Sequence, residues 1–307
     1  RPMRRRPIDL LPAVLLFAAC ASAPRPELDP ERRLATVDAL LAARDHTLAL
    51  EHLAVLTDDV CPKRLRDRRD LATATAHLGL AEHWDAYLAL EPFSDLYPHS
   101  DLRPQVVEML WDIGHTLTLS NRGFWIFWSD RRAGRTVLEH LITRHPDTPR
   151  LADALRLLGD MAYEDGNYEL AQERFRDLMR RRPESEWVKY AGFRFAMSIV
   201  DSLQGPDYDL DKMNHAVREL TDFLATAPEN PELVAKARNA QEQLRQWRAQ
   251  RHLSIAGFYR RVGNEPGQRY HLDIACRAEF DGTAAHAAAQ AERAALAPEA
   301  PASGGTP

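Results

Sequence analysis

The sequence predicts an all-α fold, a solenoid of antiparallel helical hairpins, and three observations carry that prediction. The stretch from Leu151 to Pro183, LADALRLLGDMAYEDGNYELAQERFRDLMRRRP, places apolar residues at helical spacing on both sides of Asp165-Gly166-Asn167, a turn sequence. The same order of small, large apolar and apolar residues precedes three other prolines. Helical spacing also continues almost without interruption from Glu31 to Leu296.

Within the first stretch, Gly159 and Ala171 are small where two helices must approach closely, since packed helix axes stand roughly 8–10 Å apart according to the contacting side chains. Phe175 and Leu178 share one apolar stripe, and Pro183 ends the helix because it lacks an N–H and clashes with the preceding turn. Leu155, Leu158, Gly159, Ala171, Phe175 and Pro183 stand at the offsets of a tetratricopeptide unit of about 34 residues; Ala162 takes the usual Tyr position, with Tyr163 next to it.

Such a unit cannot bury its apolar face alone, so neighbours are required. Gly134, Leu138 and Leu141 precede Pro146; Ala216, Leu220 and Phe223 precede Pro228; Ala86, Leu90 and Phe93 precede Pro98. Pro92 falls inside the last of these helices and should kink or shorten it. The spacing between these prolines exceeds the ideal period, and the excess is assigned to insertions at Ser120 to Trp128 and Leu203 to Lys212.

Taken in order, the chain opens with a segment of a different kind. Arg4-Arg5-Arg6, the apolar run Leu10 to Phe17 and the small pair Ala18-Ala19 read as an export signal over residues 1–19, with Met3 as its start. The apolar run is far short of the roughly 20 residues needed to span a bilayer. Phe17-Ala18-Ala19-Cys20 resembles the bacterial lipobox, which implies lipidation at Cys20 by a diacylated thioether and an N-acyl chain; several chains anchor firmly where one holds weakly. Residues 20–30 form the lipidated Cys and a Pro-rich tether.

A repeat domain is expected over 31–296. It should begin with helices at Glu31 to Ala43, His46 to Leu56, Lys63 to Leu80 and Ala81 to Leu90. A long helix is expected from Pro231 to Arg261, broken by Gly263-Asn264-Glu265-Pro266-Gly267. A degenerate unit carrying Leu272, Ala275 and Phe280 and an Ala-rich helix from Ala284 to Leu296 should follow. The tail 297–307, APEAPASGGTP, has the composition of a disordered segment.

The 307 residues are 28% charged and 45% hydrophobic, with a net charge of -5, so no basic stripe argues for nucleic acid. Charge runs such as Arg64 to Asp70 read as solvated helix faces. Besides Cys20, Cys61 and Cys276 read as buried free thiols, although an exported chain would permit a disulfide. No His pair has ligand spacing with Cys or carboxylate, so neither a metal nor a cofactor is expected.

Four aromatics stand in the insertion Gly123-Phe124-Trp125-Ile126-Phe127-Trp128. Phe124, Trp125, Phe127 and Trp128 are candidates for binding a polypeptide client or partner, with Trp84 and Trp111 on neighbouring helices; packing as core is the competing reading. Arg180-Arg181-Arg182 ends a helix, where cations complement the dipole. Catalysis is not expected, because the chain has no G-x-S-x-G, H-E-x-x-H or P-loop.

The lipobox, the repeats and the run RAQRHLSIAGFYRR from Arg248 to Arg261 together resemble the BamD (ComL-like) family, with Leu253, Ile255, Ala256, Phe258, Tyr259 and Gly263 at its long-helix signature. The resemblance is firm over Arg131 to Thr283 and loose before that. It implies an all-helical lipoprotein on the periplasmic side of the outer membrane. Its partners would be the barrel-forming assembly subunit and unfolded outer-membrane protein clients. Tyr259, Arg260 and Arg261 become docking candidates. The chain departs from the family after Gly263, where Asn264-Glu265-Pro266-Gly267 and then Arg269, Tyr270 and His271 replace the usual docking helix. The alternative is another lipidated tetratricopeptide scaffold, coordinating envelope or cell-wall machinery.

Overall fold

Helices start where the sequence supplies a cap. The side chains of Asp45, Asn167, Asn230, Asn264 and Thr283 each accept a hydrogen bond from the backbone N–H three residues on, at 2.9–3.2 Å. Each satisfies an otherwise unpaired amide and is worth about 1 kcal/mol. The computed structural model describes residues 29–120, 123–125, 128–226 and 230–296, with backbone alone at 123–125 and 128. Cys20, the signal segment, most of the tether and the tail 297–307 lie outside the described residues.

The described chain falls into two compact units that meet between Glu82 and His83. The first holds α1 (Pro30–Ala42), α2 (His46–Ala54) and α3 (Lys63–Gly79). Leu34, Val37, Ala49, Leu53, Leu56, Cys61, Ala72 and Ala76 form its core. Arg64 and Arg68 of α3 pair with Glu31 and Asp38 of α1. Within the Arg64 to Asp70 run, expected to be solvated, the Arg69 side chain is only 15% exposed. It is drawn in because its guanidinium bonds the Leu56 carbonyl at 3.0 Å and the Asp58 carboxylate at 2.7 Å.

The second unit begins with α4 (His83–Leu90), and Pro92 shortens it as expected, heading the one-turn helix α5 (Phe93–Leu96). Three hairpins follow: α6 (Arg103–Leu119) with α7 (Asp130–Arg144), α8 (Leu151–Glu164) with α9 (Tyr168–Arg181), and α10 (Val188–Asp201) with α11 (Leu210–Thr226). The residues aligned on the prolines are all buried: Ala86, Leu90 and Phe93; Gly134, Leu138 and Leu141; Ala171, Phe175 and Leu178; Ala216, Leu220 and Phe223. Pro228 itself lies outside the described residues. Gly166, at φ +73°, turns α8 into α9, and Asn167 N–H closes the turn on the Ala162 carbonyl at 2.9 Å.

The fold class is therefore the predicted all-α solenoid of tetratricopeptide-like hairpins. One segment departs from helix: the insertion after α6 contains a small antiparallel pair, β1 (Gly123–Trp125) and β2 (Trp128–Ser129), with Trp125 opposite Trp128.

α12 (Pro231–Arg261) is about 46 Å long at 1.5 Å per residue. Its first part packs on α11; its last part carries α13 (Glu265–Ala275) and α14 (Ala284–Ala295). The predicted break at 263–267 is shorter in the structure. Gly263, at φ +71°, makes the turn, and Asn264 then caps α13, in whose first turn Pro266 is tolerated because the N–H it lacks has no helical acceptor there. Among the described residues no helix is long and apolar enough to cross a membrane.

Candidate polypeptide-binding surfaces

The first helices of successive hairpins share a face that is cross-linked by side chains. On α8, Asp153, Arg156, Asp160 and Tyr163 recur at helical spacing; the N-cap residue Trp187 and, on α10, Tyr190 and Arg194 do the same. Asp160 is the junction: Tyr190 Oη donates to it at 2.7 Å, Arg194 Nε at 2.9 Å and Arg156 at 3.1 Å. Trp187 Nε1 donates to Asp153 at 2.8 Å.

Guanidinium groups cover the aromatic faces. Arg156 lies 4.3 Å over Trp187 and Arg194 lies 3.9 Å over Tyr163, whose hydroxyl donates to Asp201. Burial first, and then the neighbouring carboxylates, push the Tyr163 and Tyr190 phenols up, so both stay protonated donors at neutral pH. One hairpin earlier, Arg150 bonds Glu108 at 2.9 Å and lies 5.7 Å over the Trp111 ring. The result is a rigid, internally paired face that ties α8 to α10. Open grooves adjoin it: one of about 460 Å³ beside Asp153, Arg182 and Trp187, and one of about 670 Å³ beside Arg103, Val107 and His145.

Trp111 is 8% exposed and stacks on His115 at 5.1 Å, so most of its ring packs inside the unit. Trp84 is half-buried on α4, with its ring 5.0 Å from Tyr87. For Phe124, Trp125 and Trp128 the strand backbone alone is described; their side chains, and the whole of Phe127, lie outside the described residues. Cys20 lies outside them too.

At the end of α12, Tyr259 is held by its neighbours. It stacks on His271 at 5.6 Å, and a Cβ on Gly267 would lie 2.7 Å from its ring. Arg260 and Arg261 are exposed, and Arg260 pairs with Glu292 of α14 at 3.3 Å. Phe258, Val262 and Tyr270, at 51%, 57% and 62% exposure, flank this end, and the sequence reading did not single them out as docking residues. The i, i+4 spacing of Phe258 and Val262 at the end of the long helix was the available signal.

One arrangement resembles catalytic machinery and is unsuited to it. Ser94 Oγ stands 3.1 Å from His145 Nε2. Burial, then His140, Arg103 and Arg144, push that imidazole down to about 4, too weakly basic to activate a hydroxyl at neutral pH.

These features define a class: an all-helical, tetratricopeptide-like scaffold whose ordered faces suit protein contacts. Residues 128–267, a little under half of the chain, match the model of the YfiO family, described as an outer membrane lipoprotein and known as the family of BamD. A search of curated proteins found no match. Among solved structures, the chain is similar to Pseudomonas aeruginosa pilF at 12% identity, covering 75% of this chain and 99% of that one, with a TM-score of 0.31. It is also similar to the C-terminal part of a TPR repeat-containing protein from Cytophaga hutchinsonii at 13% identity, covering 83% and 98%, with a TM-score of 0.34.

Proposed function

We propose that this chain is a lipid-anchored, BamD-like scaffold of the outer membrane that binds polypeptides without catalysis. The observation that carries the reading is the match of residues 128–267 to the outer membrane lipoprotein family, a span that contains the Leu253 to Gly263 motif. In this reading residues 1–19 are removed on export, Cys20 is acylated, 20–30 tether the fold, 31–296 act as the repeat domain facing the periplasm, and 297–307 form a free tail. Clients are unfolded outer-membrane proteins, met by the aromatic insertion and Trp84, while Trp111 belongs to the core. The barrel-forming subunit docks at Tyr259, Arg260 and Arg261. The altered sequence from Asn264 to His271 favours a second reading, a lipidated scaffold for other envelope machinery.

Replacing Trp125 and Trp128 by Ala should weaken binding of an aromatic-ended client peptide while circular dichroism and melting stay unchanged. Loss of helicity or a large fall in Tm would assign both rings to the core instead. Cys20→Ala should leave the protein in the soluble fraction; retention on salt-washed membranes would refute the anchor.

A further inference from the structure

Where α12 packs on α13, His252 and His271 face each other, Nδ1 to Nδ1 at 3.1 Å, with rings 5.4 Å apart and 29° from parallel. A hydrogen bond between two imidazole nitrogens holds one proton: one ring donates its N–H and the other must accept through a bare nitrogen. One added proton can sit on the donor ring's Nε2 and keep this bond, but a further one, on the acceptor's Nδ1, sets two N–H groups and two charges against each other. His252 is 8% exposed, with Phe280 at 6.4 Å, so a charge on it is poorly solvated; His271 is half-buried, stacked on Tyr259 and edge-on to Tyr270.

The charged groups around the pair are mostly cations. α12 contributes Arg248 and Arg251, and the segment after α13 contributes Arg277. The nearby acids are engaged elsewhere: Glu279 pairs with Arg248 at 3.2 Å, and Asp207, from the connection between α10 and α11, faces Arg251 at 3.7 Å. α14 directs Glu292 to Arg260 and Arg293 to Asp273 of α13, and its His286 to the Ala275 carbonyl and Asp281.

We propose that the His252–His271 pair is an acid-sensitive latch, whose second protonation releases α13 and α14 from α12. Burial, then His271 and the three arginines, push His252 down to about 4, and burial lowers His271 as well. In the opened segment both rings return to the ordinary value of about 6.5, so opening takes up protons and is favoured as pH falls. His252 alone makes opening roughly twentyfold more favourable at pH 5 than at pH 7. The released surface comprises two small clusters: Ala249, Ile274, Phe280 and Ala285, and Ala256, Leu272, Ala275 and Ala289.

Hydrogen–deuterium exchange of the full chain at about pH 7 and about pH 5, corrected for intrinsic rates, tests this. Opening of α13 and α14 should increase on the order of twentyfold, while α8 and α9, which carry no histidine, change less, and the double variant H252L/H271F should lose the acceleration. An increase below about threefold in α13 and α14, an equal increase in α8 and α9, or an unchanged acceleration in the variant would overturn the latch. If the variant does not fold, the imidazole resonances of the native chain decide. One ring titrating far below the ordinary range supports the pair; two rings titrating near 6.5 refute it.

Discussion

A Cβ placed on Gly159 would stand 2.7 Å from the ring of Phe175, closer than real Cβ contacts come. The hairpin of α8 and α9 closes on that absence: Phe175 is fully buried, and Leu155 and Leu178 are buried in the same hairpin.

Gly159→Val should therefore cost about 2 kcal/mol, the cost of overpacking less a small gain in helix propensity. Gly192→Ala is the control, since the nearest atom there is Met179 Sδ at 3.7 Å. It should be neutral or stabilise by about 0.5–1 kcal/mol. Urea unfolding midpoints of the two variants check both, and equal effects would contradict the packing.

Asp160 gathers Tyr190, Arg194 and Arg156 while itself only 15% exposed. Asp160→Ala strands two arginines of similarly low exposure and should destabilise the unit by about 3 kcal/mol, the lower end for breaking a buried ion pair. Chemical denaturation measures it. A loss under about 1 kcal/mol would mean the network is no stronger than a surface pair.

Acid should weaken the fold in a defined window. His145 and His252 are each pushed down to about 4, first by burial, and His140 and His271 are lowered for the same first reason. A histidine with a depressed folded value leaves stability intact above its unfolded value of about 6.5 and loses it as pH falls from there toward 4. Held carboxylates such as Glu242, pushed down to about 2 by its hydrogen bond to Arg245, respond only below the ordinary value of 4.5, so the two groups separate on the pH axis. Urea midpoints that stay level from about pH 7 to about pH 5 would contradict this assignment.

The sequence made some of this architecture legible and hid the rest for physical reasons. Gly159, Ala171, Phe175 and Pro183 encode local constraints of close approach and helix ending, so their spacing can be read along the chain, and the same frame located buried residues around Pro98 and Pro146. The Asp160 junction could not be read this way, because it joins side chains from two hairpins whose facing directions exist only after packing. Asn264-Glu265-Pro266-Gly267 misled in part: its residues suit a turn and a helix start equally, and here they make both. Arg69 was read as solvated from its charged neighbours, while its position under the Leu56 carbonyl depends on how the turn after α2 folds.

The most direct test of the proposed role is capture of the tagged, lipidated protein from its own membranes in mild detergent, with mass spectrometry of what accompanies it. Enrichment of the barrel-forming assembly subunit, reduced when Arg260 and Arg261 are changed to Glu, is the predicted result. A clean and reproducible set of partners that lacks that subunit would contradict it and would assign the scaffold to other envelope machinery.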